Sequence, residues 1–380
     1  MNVLAIAFLL SLVGGQLLGW TIWPGVVVYA HDILLVLLLV WAYATQIMDG
    51  TRVRLLHSLY AFFFVGLASL VLHISLFGGT LTFLSSLYLL RWFIYVEVYV
   101  LVASKKQKFP WAEWLYASSV LFAAVGLVQY LLYPDLRNLT YLGWDPHYYR
   151  LFSTLLDPNF AGIILVLGFF LGFGFIKRRP LLIVSELLLF AAFLLTYSRS
   201  SYLAFIAGIV TYACITKQRQ LALGLLLLFF GAIAVLPLRD VDILRVNRLD
   251  SAVARLGNWE RGMDLFGESP LIGWGFNTLR FVQTQRHWVD DTQIVSRAGG
   301  GLDNSFIFLL ATTGVVGLAS YLWILNSIIL SARRNAVLLV SLAAIIVHAF
   351  FVNSLFYPWV MIWLWILAGA AERVQASGDT

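Results

Sequence analysis

Between Leu238 and Leu302 the chain carries eight arginines, Arg239, Arg245, Arg248, Arg255, Arg261, Arg280, Arg286 and Arg297, and no lysine. Eight acids in the same stretch (Asp240, Asp242, Asp250, Glu260, Asp264, Glu268, Asp290, Asp291) cancel that charge, so the segment is not a massed basic patch for polyanions. A guanidinium grips phosphate or carboxylate oxygens with two parallel N–H donors, whereas a lysine ammonium acts as a point charge. Arginines placed singly among acids therefore suit capture of a phosphate-bearing ligand.

Four further signatures could belong to the same chemistry. Asp157-Pro158-Asn159 opens an apolar run, where aspartate caps free N–H groups and proline suits the first turn. Ser198-Arg199-Ser200-Ser201 sits at a tight turn, and hydroxyls beside the free N–H groups of a helix start make an anion site. In the arginine-rich segment, Ala252, Leu256, Trp259, Met263 and Phe266 recur at steps of four and three, predicting a helix with one apolar stripe. Arg255, four residues before Trp259, points near that face, and Gly267, Pro270, Gly273 and Gly275 punctuate the chain beyond it. Asp303-Asn304-Ser305-Phe306 opens another apolar run, with Gly314 and Gly317 further on as points of close helix packing. Asp303 reads either as an N-cap or as a group that acts on substrate.

The elements that must position these residues are membrane helices. With 61% hydrophobic and 12% charged residues over 380 positions, the composition belongs to polytopic membrane proteins. At about 20 residues per span, hydropathy predicts about twelve transmembrane helices, near 3–22, 26–44, 55–77, 81–103, 112–133, 159–176, 181–197, 200–216, 220–237, 304–330, 336–353 and 356–371. The fold class is thus all-α: one transmembrane domain over 1–380, with residues 238–302 inserted as a large extracytoplasmic loop bearing the amphipathic helix.

Arg52, Arg54, Lys105, Lys106, Lys108, Lys177, Arg178, Arg179, Lys217, Arg219, Arg333 and Arg334 all lie in connections after even-numbered spans, every lysine among them. The positive-inside rule makes those connections cytoplasmic, so both termini are inside and the arginine-rich loop is outside. All four signatures then fall at one face, which points to a site at the outer boundary. Within the bilayer, Asp32, Arg91, Glu97 and Glu186 are costly enough to count as functional candidates. Asp32 and Arg91 lie at comparable depth and either pair structurally or extend the cavity inward. His31 and His348 read more plainly as hydrogen-bonded helix residues. Cys214 is the only cysteine and no Cys/His metal spacing exists, so no metal or other cofactor is expected.

The order and spacing of these signatures resemble the O-antigen ligase/polymerase family of membrane glycosyltransferases, a glycosyltransferase C-type architecture. The matching pieces are Asp157-Pro158-Asn159, Ser198-Arg199-Ser200, Arg255 to Trp259, Pro270 to Gly275, Asp303 to Phe306 and Gly314 to Gly317. The resemblance implies an enzyme that takes a glycan from a polyprenyl-pyrophosphate donor and moves it to an acceptor hydroxyl without metal. By motif, Arg199 and Arg255 would engage the pyrophosphate; Asp303, standing where related ligases present a histidine, is read from its own chemistry as the catalytic group that accepts the acceptor hydroxyl's proton or orients that hydroxyl. Asp157, Asn159, Ser198, Ser200, Trp259 and Asn304 would line the substrate site, and Arg91, outside the matching stretch, is added to them as the intramembrane charge that would extend the cavity inward. Ligases of this family carry a histidine where this chain reads Leu302-Asp303 before Asn304, which favours polymerisation of O-antigen or exopolysaccharide repeat units over ligation to lipid A core.

Expected partners are the lipid-linked oligosaccharide and the bilayer. The resemblance adds chain-length regulator and flippase proteins, and nothing suggests nucleic acid. A polysaccharide flippase or other transporter would instead place its polar groups near the midplane on broken helices and internal repeats. A non-catalytic export scaffold would need no convergent arginines.

Overall fold

In the computed structural model, which describes residues 1–48, 51, 53–176, 182–236, 241–288, 301–332 and 335–378, the long apolar runs are helices. In chain order come α1 (Asn2–Gly14), a hairpin of β1 (Gly19–Trp23) and β2 (Val26–Tyr29), α2 (Ala30–Ala44), α3 (Leu56–Leu72), α4 (Ile74–Ala103), α5 (Trp111–Leu132), α6 (Pro158–Ile176), α7 (Ile183–Leu194), α8 (Arg199–Thr216), α9 (Arg219–Val235), α10 (Val241–Glu268), α11 (Leu279–Gln285), α12 (Ser305–Ser331), α13 (Ala336–Ala349) and α14 (Pro358–Gly378). Among the described residues five helices, α4, α5, α6, α8 and α12, are long and apolar enough to cross a membrane, and six shorter ones are apolar. Arg52, Lys177, Arg178, Arg179, Arg333 and Arg334, used for orientation, lie outside the described residues, as do Arg239, Asp240, Asp290, Asp291 and Arg297 of the loop.

One apolar core runs from Ala5 to Ala371. Its centre is α14, where Trp359, Ile362, Trp365 and Ile366 are buried against α4. Gly369 lets the two helices close, since a Cβ there would crowd the Tyr99 carbonyl and Val102. α13 packs along α8, and α12 along α3.

The first correction concerns residues 19–29. They were expected to end one helix and begin the next, but they form a β-hairpin with Gly19 opposite Tyr29 and Trp20 opposite Val28. The run Trp20-Thr21-Ile22-Trp23, a Pro24-Gly25 turn and Val26-Val27-Val28 are β-branched and aromatic residues around turn chemistry, which outweighs hydrophobicity alone. Arg91 pins the hairpin: it bonds the Val27 carbonyl, pairs with Asp32 at 3.0 Å and lies over the rings of Tyr29 and Tyr88. Asp32 and Arg91 therefore pair beside the hairpin, one of the two readings open to them from the sequence.

α12 is broken at Gly314, whose φ of 64° and ψ of −167° are not helical. The groups freed by the break are satisfied by the turn after α10. Trp274 and Gly275 donate to the carbonyls of Ala311 and Thr312 at 3.0 and 2.9 Å, and Val315 and Val316 donate to Pro270 and Leu271 at 2.8 and 3.2 Å. Non-helical backbone inside an apolar bundle is tolerated only when paired in this way. A Cβ on Gly314 would overlap Leu271, and one on Gly273 would overlap Thr312. Gly314→Ala should therefore strain the left-handed backbone and pry the turn off α12, lowering the melting midpoint in detergent and the yield of monodisperse protein. Alanine behaving as wild type in both measurements would mean the break is incidental.

The amphipathic stripe also needs correction. Leu256 and Met263 are exposed, at 62% and 43%, while Gly262 and Leu265 are buried. The face of α10 that meets the bundle runs through Arg255, Asn258, Trp259, Gly262 and Leu265, because Gly262 seats directly on Leu302 and Ile307 at the start of α12. Close approach at a glycine decided which side turned inward, against the apolar periodicity.

Candidate functional site

Three helix starts and one helix end meet at the end of the bundle that carries α10. At α6, Asp157 is a true N-cap, its carboxylate accepting from the N–H groups of Asn159 and Phe160 at 2.7 and 3.3 Å. At α8, Ser198 is the cap, accepting from Ser201 N at 3.4 Å and donating to the Asn159 side chain at 2.9 Å. At α12 the cap is Asn304, whose side-chain oxygen accepts from Phe306 and Ile307 at 2.9 and 3.0 Å and whose amide donates to the Phe350 carbonyl at 3.0 Å. Asp303 is thereby relieved of the capping role that was one of its two readings.

α10 is fixed over this junction by three polar links. Asn258 accepts from Asp303 N at 2.9 Å and donates to the Gly301 carbonyl at 3.0 Å, and Trp259 Nε1 donates to the Asp303 carbonyl at 3.2 Å. These contacts set Arg255 against the Asp303 carboxylate, Nε to Oδ2 being 3.9 Å. The pair is open: 51% of the Asp303 side chain remains accessible, so its free oxygen can meet a substrate group.

Ser198, Ser200 and Asn304 are almost fully buried and bond to one another and to neighbouring segments. Asn159 is likewise spent on Ser198, and Trp259 anchors α10. Arg199 is the exposed first residue of α8. Arg286, among the eight loop arginines, is structural: it forms a two-point pair with Glu268 and lies 5.0 and 5.2 Å from the centres of the Trp274 and Trp288 rings. His287 is an exposed turn residue after α11.

Two residues of this site escaped the sequence. Arg150, on the connection before α6, donates to the carbonyls of Thr196 and Tyr197 at 2.9 and 3.5 Å, while Leu151 N donates to Leu195 at 2.8 Å. The connection is thus stitched to the turn that presents Arg199. The same connection brings Asp145 within electrostatic reach of Asp157, Asp303, Arg150 and Arg255. Much of Asp145 stays accessible, yet its surroundings are dense enough that burial leads in pushing its carboxyl up to about 6, with the charges of Asp157 and Asp303 adding to it and the two arginines opposing. Burial also raises Asp157 and Asp303, with Arg255 pulling both back. His147 is held well below the usual histidine range by burial and then by Arg150, which makes it a weak base.

Three carboxylates against Arg150 and Arg255 would repel a bound anion unless one of them took a proton, and Asp145 is the group placed to do so. With its carboxyl pushed up to about 6, it loses its proton as pH rises through that value. An anion held by Arg150 and Arg255 should bind more weakly as pH rises through about 6, and Asp145→Asn should flatten that dependence. Titrating binding between pH 5 and pH 7.5 checks this, and an unchanged slope in the variant would remove Asp145 from the field of the site. The sign for stability is the same: a folded-state value above the ordinary 3.8 gives a contribution present at low pH and lost as pH rises through about 6.

Residues 184–322 match the family model described as O-antigen ligase. The match takes in the Ser198-Arg199-Ser200 turn, all of α10 and the start of α12, and leaves Asp145, Arg150 and Asp157 outside it. It supports kinship with the O-antigen ligase/polymerase family and, with the apolar helices, a multi-pass membrane protein of polysaccharide or lipopolysaccharide biosynthesis. No curated protein matches the chain.

Proposed function

We propose that this protein is a membrane glycosyltransferase that polymerises polyprenyl-diphosphate-linked oligosaccharide repeat units at the outer face of the cytoplasmic membrane. In this reading α1 to α9 and α12 to α14 are its spans, both termini are cytoplasmic, and the loop of residues 238–302 lies outside. The observation that carries it is the open Arg255–Asp303 pair, held by α10 over the starts of α6, α8 and α12. The acceptor hydroxyl attacks the anomeric carbon of the donor sugar, giving its proton to Asp303, while the bond from that carbon to the diphosphate oxygen breaks and the diphosphate leaves with the electron pair. Arg255 and Arg199, with Arg150 beside them, neutralise the charge gathering on the leaving group, and preorganised donors of this kind supply much of a rate enhancement. No metal enters the scheme.

Polymerisation is favoured over ligation by the state of the histidines near the pair. His348 is buried with both ring nitrogens hydrogen-bonded, and His147 is half-buried with a weakened ring. Neither stands where Asp303 stands. Purified protein given a polyprenyl-diphosphate oligosaccharide should produce a ladder of repeat-length products together with free polyprenyl diphosphate. Transfer to lipid A core without a ladder would establish the ligase instead, and neither product would sink the glycosyltransferase reading.

A further inference from the structure

His348 was passed over as an ordinary helix histidine, but its surroundings are those of a clamp. It lies near the end of α13, fully buried. Its Nδ1 is 2.6 Å from Ser354 Oγ, and its Nε2 is 3.1 Å from Ser200 Oγ and 3.3 Å from Ser201 Oγ. The network continues outward. Ser198 Oγ lies 3.1 Å from Ser200 Oγ and 3.0 Å from Ser201 Oγ, Ser201 Oγ lies 3.1 Å from the Asn159 carbonyl oxygen, and Ser198 donates to the Asn159 side chain at 2.9 Å. Ser354 also reaches the Val352 carbonyl at 3.3 Å, so the ring ties Ser354 on its Nδ1 side to Ser200 and Ser201 on its Nε2 side. A group that accepts on one side and donates on the other, across a rigid ring, is what an imidazole supplies.

The clamp acts on a segment that would not hold its shape unaided. Tyr197, just before the Ser198 cap, sits at φ 50°, a left-handed conformation unfavourable for a bulky side chain, and such strain persists only where the surroundings over-determine it. Arg150 holds the Thr196 and Tyr197 carbonyls from one side, and His348 holds Ser200 and Ser201 from the other. Arg199 stands between these two grips.

We infer that His348 is a positioning residue, which through Ser354 on one side and Ser200 and Ser201 on the other locks the start of α8 and so holds Arg199 in the pose that receives an anionic diphosphate. This rests on the functional reading above, because it assigns His348 a role through an arginine given to the donor. The imidazole touches no substrate. Its effect passes wholly through the turn, and it follows that removing His348 and weakening Arg199 must not be independent injuries.

A double-mutant cycle on the full-length protein in detergent, with farnesyl diphosphate as the probe, tests this. His348→Ala is expected to weaken binding roughly tenfold, and so is Arg199→Lys, which keeps charge but loses the fork. The double variant should bind no more weakly than the worse single one. His348→Gln, which keeps one donor and one acceptor, should recover part of the loss. Should His348→Ala fold poorly, Ser354→Ala, which removes the bonds of Ser354 Oγ to Nδ1 and to the Val352 carbonyl, should still fold and show a smaller loss of the same non-additive kind. Losses that multiply, or wild-type affinity in the His348 and Ser354 variants, would overturn the inference and leave the donor site intact. A wild-type protein that binds no diphosphate would overturn both this inference and the glycosyltransferase reading.

Discussion

Replacing Arg255 with alanine should lower glycan transfer by about a hundredfold or more, the scale seen when one preorganised donor is removed from a developing anion, while leaving the protein folded in the membrane. The two halves of that expectation have separate causes. α10 does not depend on Arg255 for its seat, since Trp259, Asn258 and the Gly262 contact with Leu302 and Ile307 hold it. Among the described residues the guanidinium pairs with Asp303 by a loose approach of 3.9 Å, which leaves it able to serve a ligand. Lysine should rescue poorly, because a flexible ammonium loses the planar two-point grip. The assay is release of polyprenyl diphosphate by purified protein, with the melting midpoint and gel-filtration profile as the controls. Near-normal release by the alanine variant would leave Arg255 as no more than the partner of Asp303.

Arg255 was singled out by its place on a helix face four residues before Trp259, and the structure sets it against Asp303; the reasons other features were missed are equally physical. The helices could be read because apolar runs of membrane length have few alternatives in lipid. The hairpin at 19–29 was lost because β-branched and aromatic residues are as hydrophobic as a helix would require, and only the Pro24-Gly25 turn distinguished them. The inward face of α10 was misjudged because Gly262 carries no hydrophobic signal, although its closeness to Ile307 decides the packing.

Asp145 and Arg150 lie on an irregular connection whose place is set by bonds to residues 195–197, a link across more than forty positions that no local spacing records. Gly273 and Gly314 were read as punctuation and as packing points, but that each exists to admit the other's strand of backbone is a property of the pair. Single residues of unusual chemistry thus announce themselves. Partnerships between distant segments do not.

Asp303→Asn is the substitution expected to separate chemistry from architecture most sharply. Before the cap of α12 was known, a surviving activity could have meant only that asparagine caps about as well as aspartate. That ambiguity is gone, because Asn304 makes both capping bonds and the Asp303 backbone, not its side chain, holds Asn258 and Trp259. The variant should therefore fold and melt like wild type. Its amide cannot accept the acceptor hydroxyl's proton, and loss of a general base costs about a hundredfold to ten-thousandfold, so polymer should fall below detection in cells lacking the native gene. Donor binding should survive or tighten, since removing a carboxylate from beside Arg255 takes away a competitor for the guanidinium. A collapse of turnover with unimpaired diphosphate binding is the signature of a base. Near-normal polymer yield would instead assign Asp303 only to tethering Arg255, and the proton would then have to pass to another carboxylate, of which Asp145 is, among the described residues, the exposed one in reach of the same field.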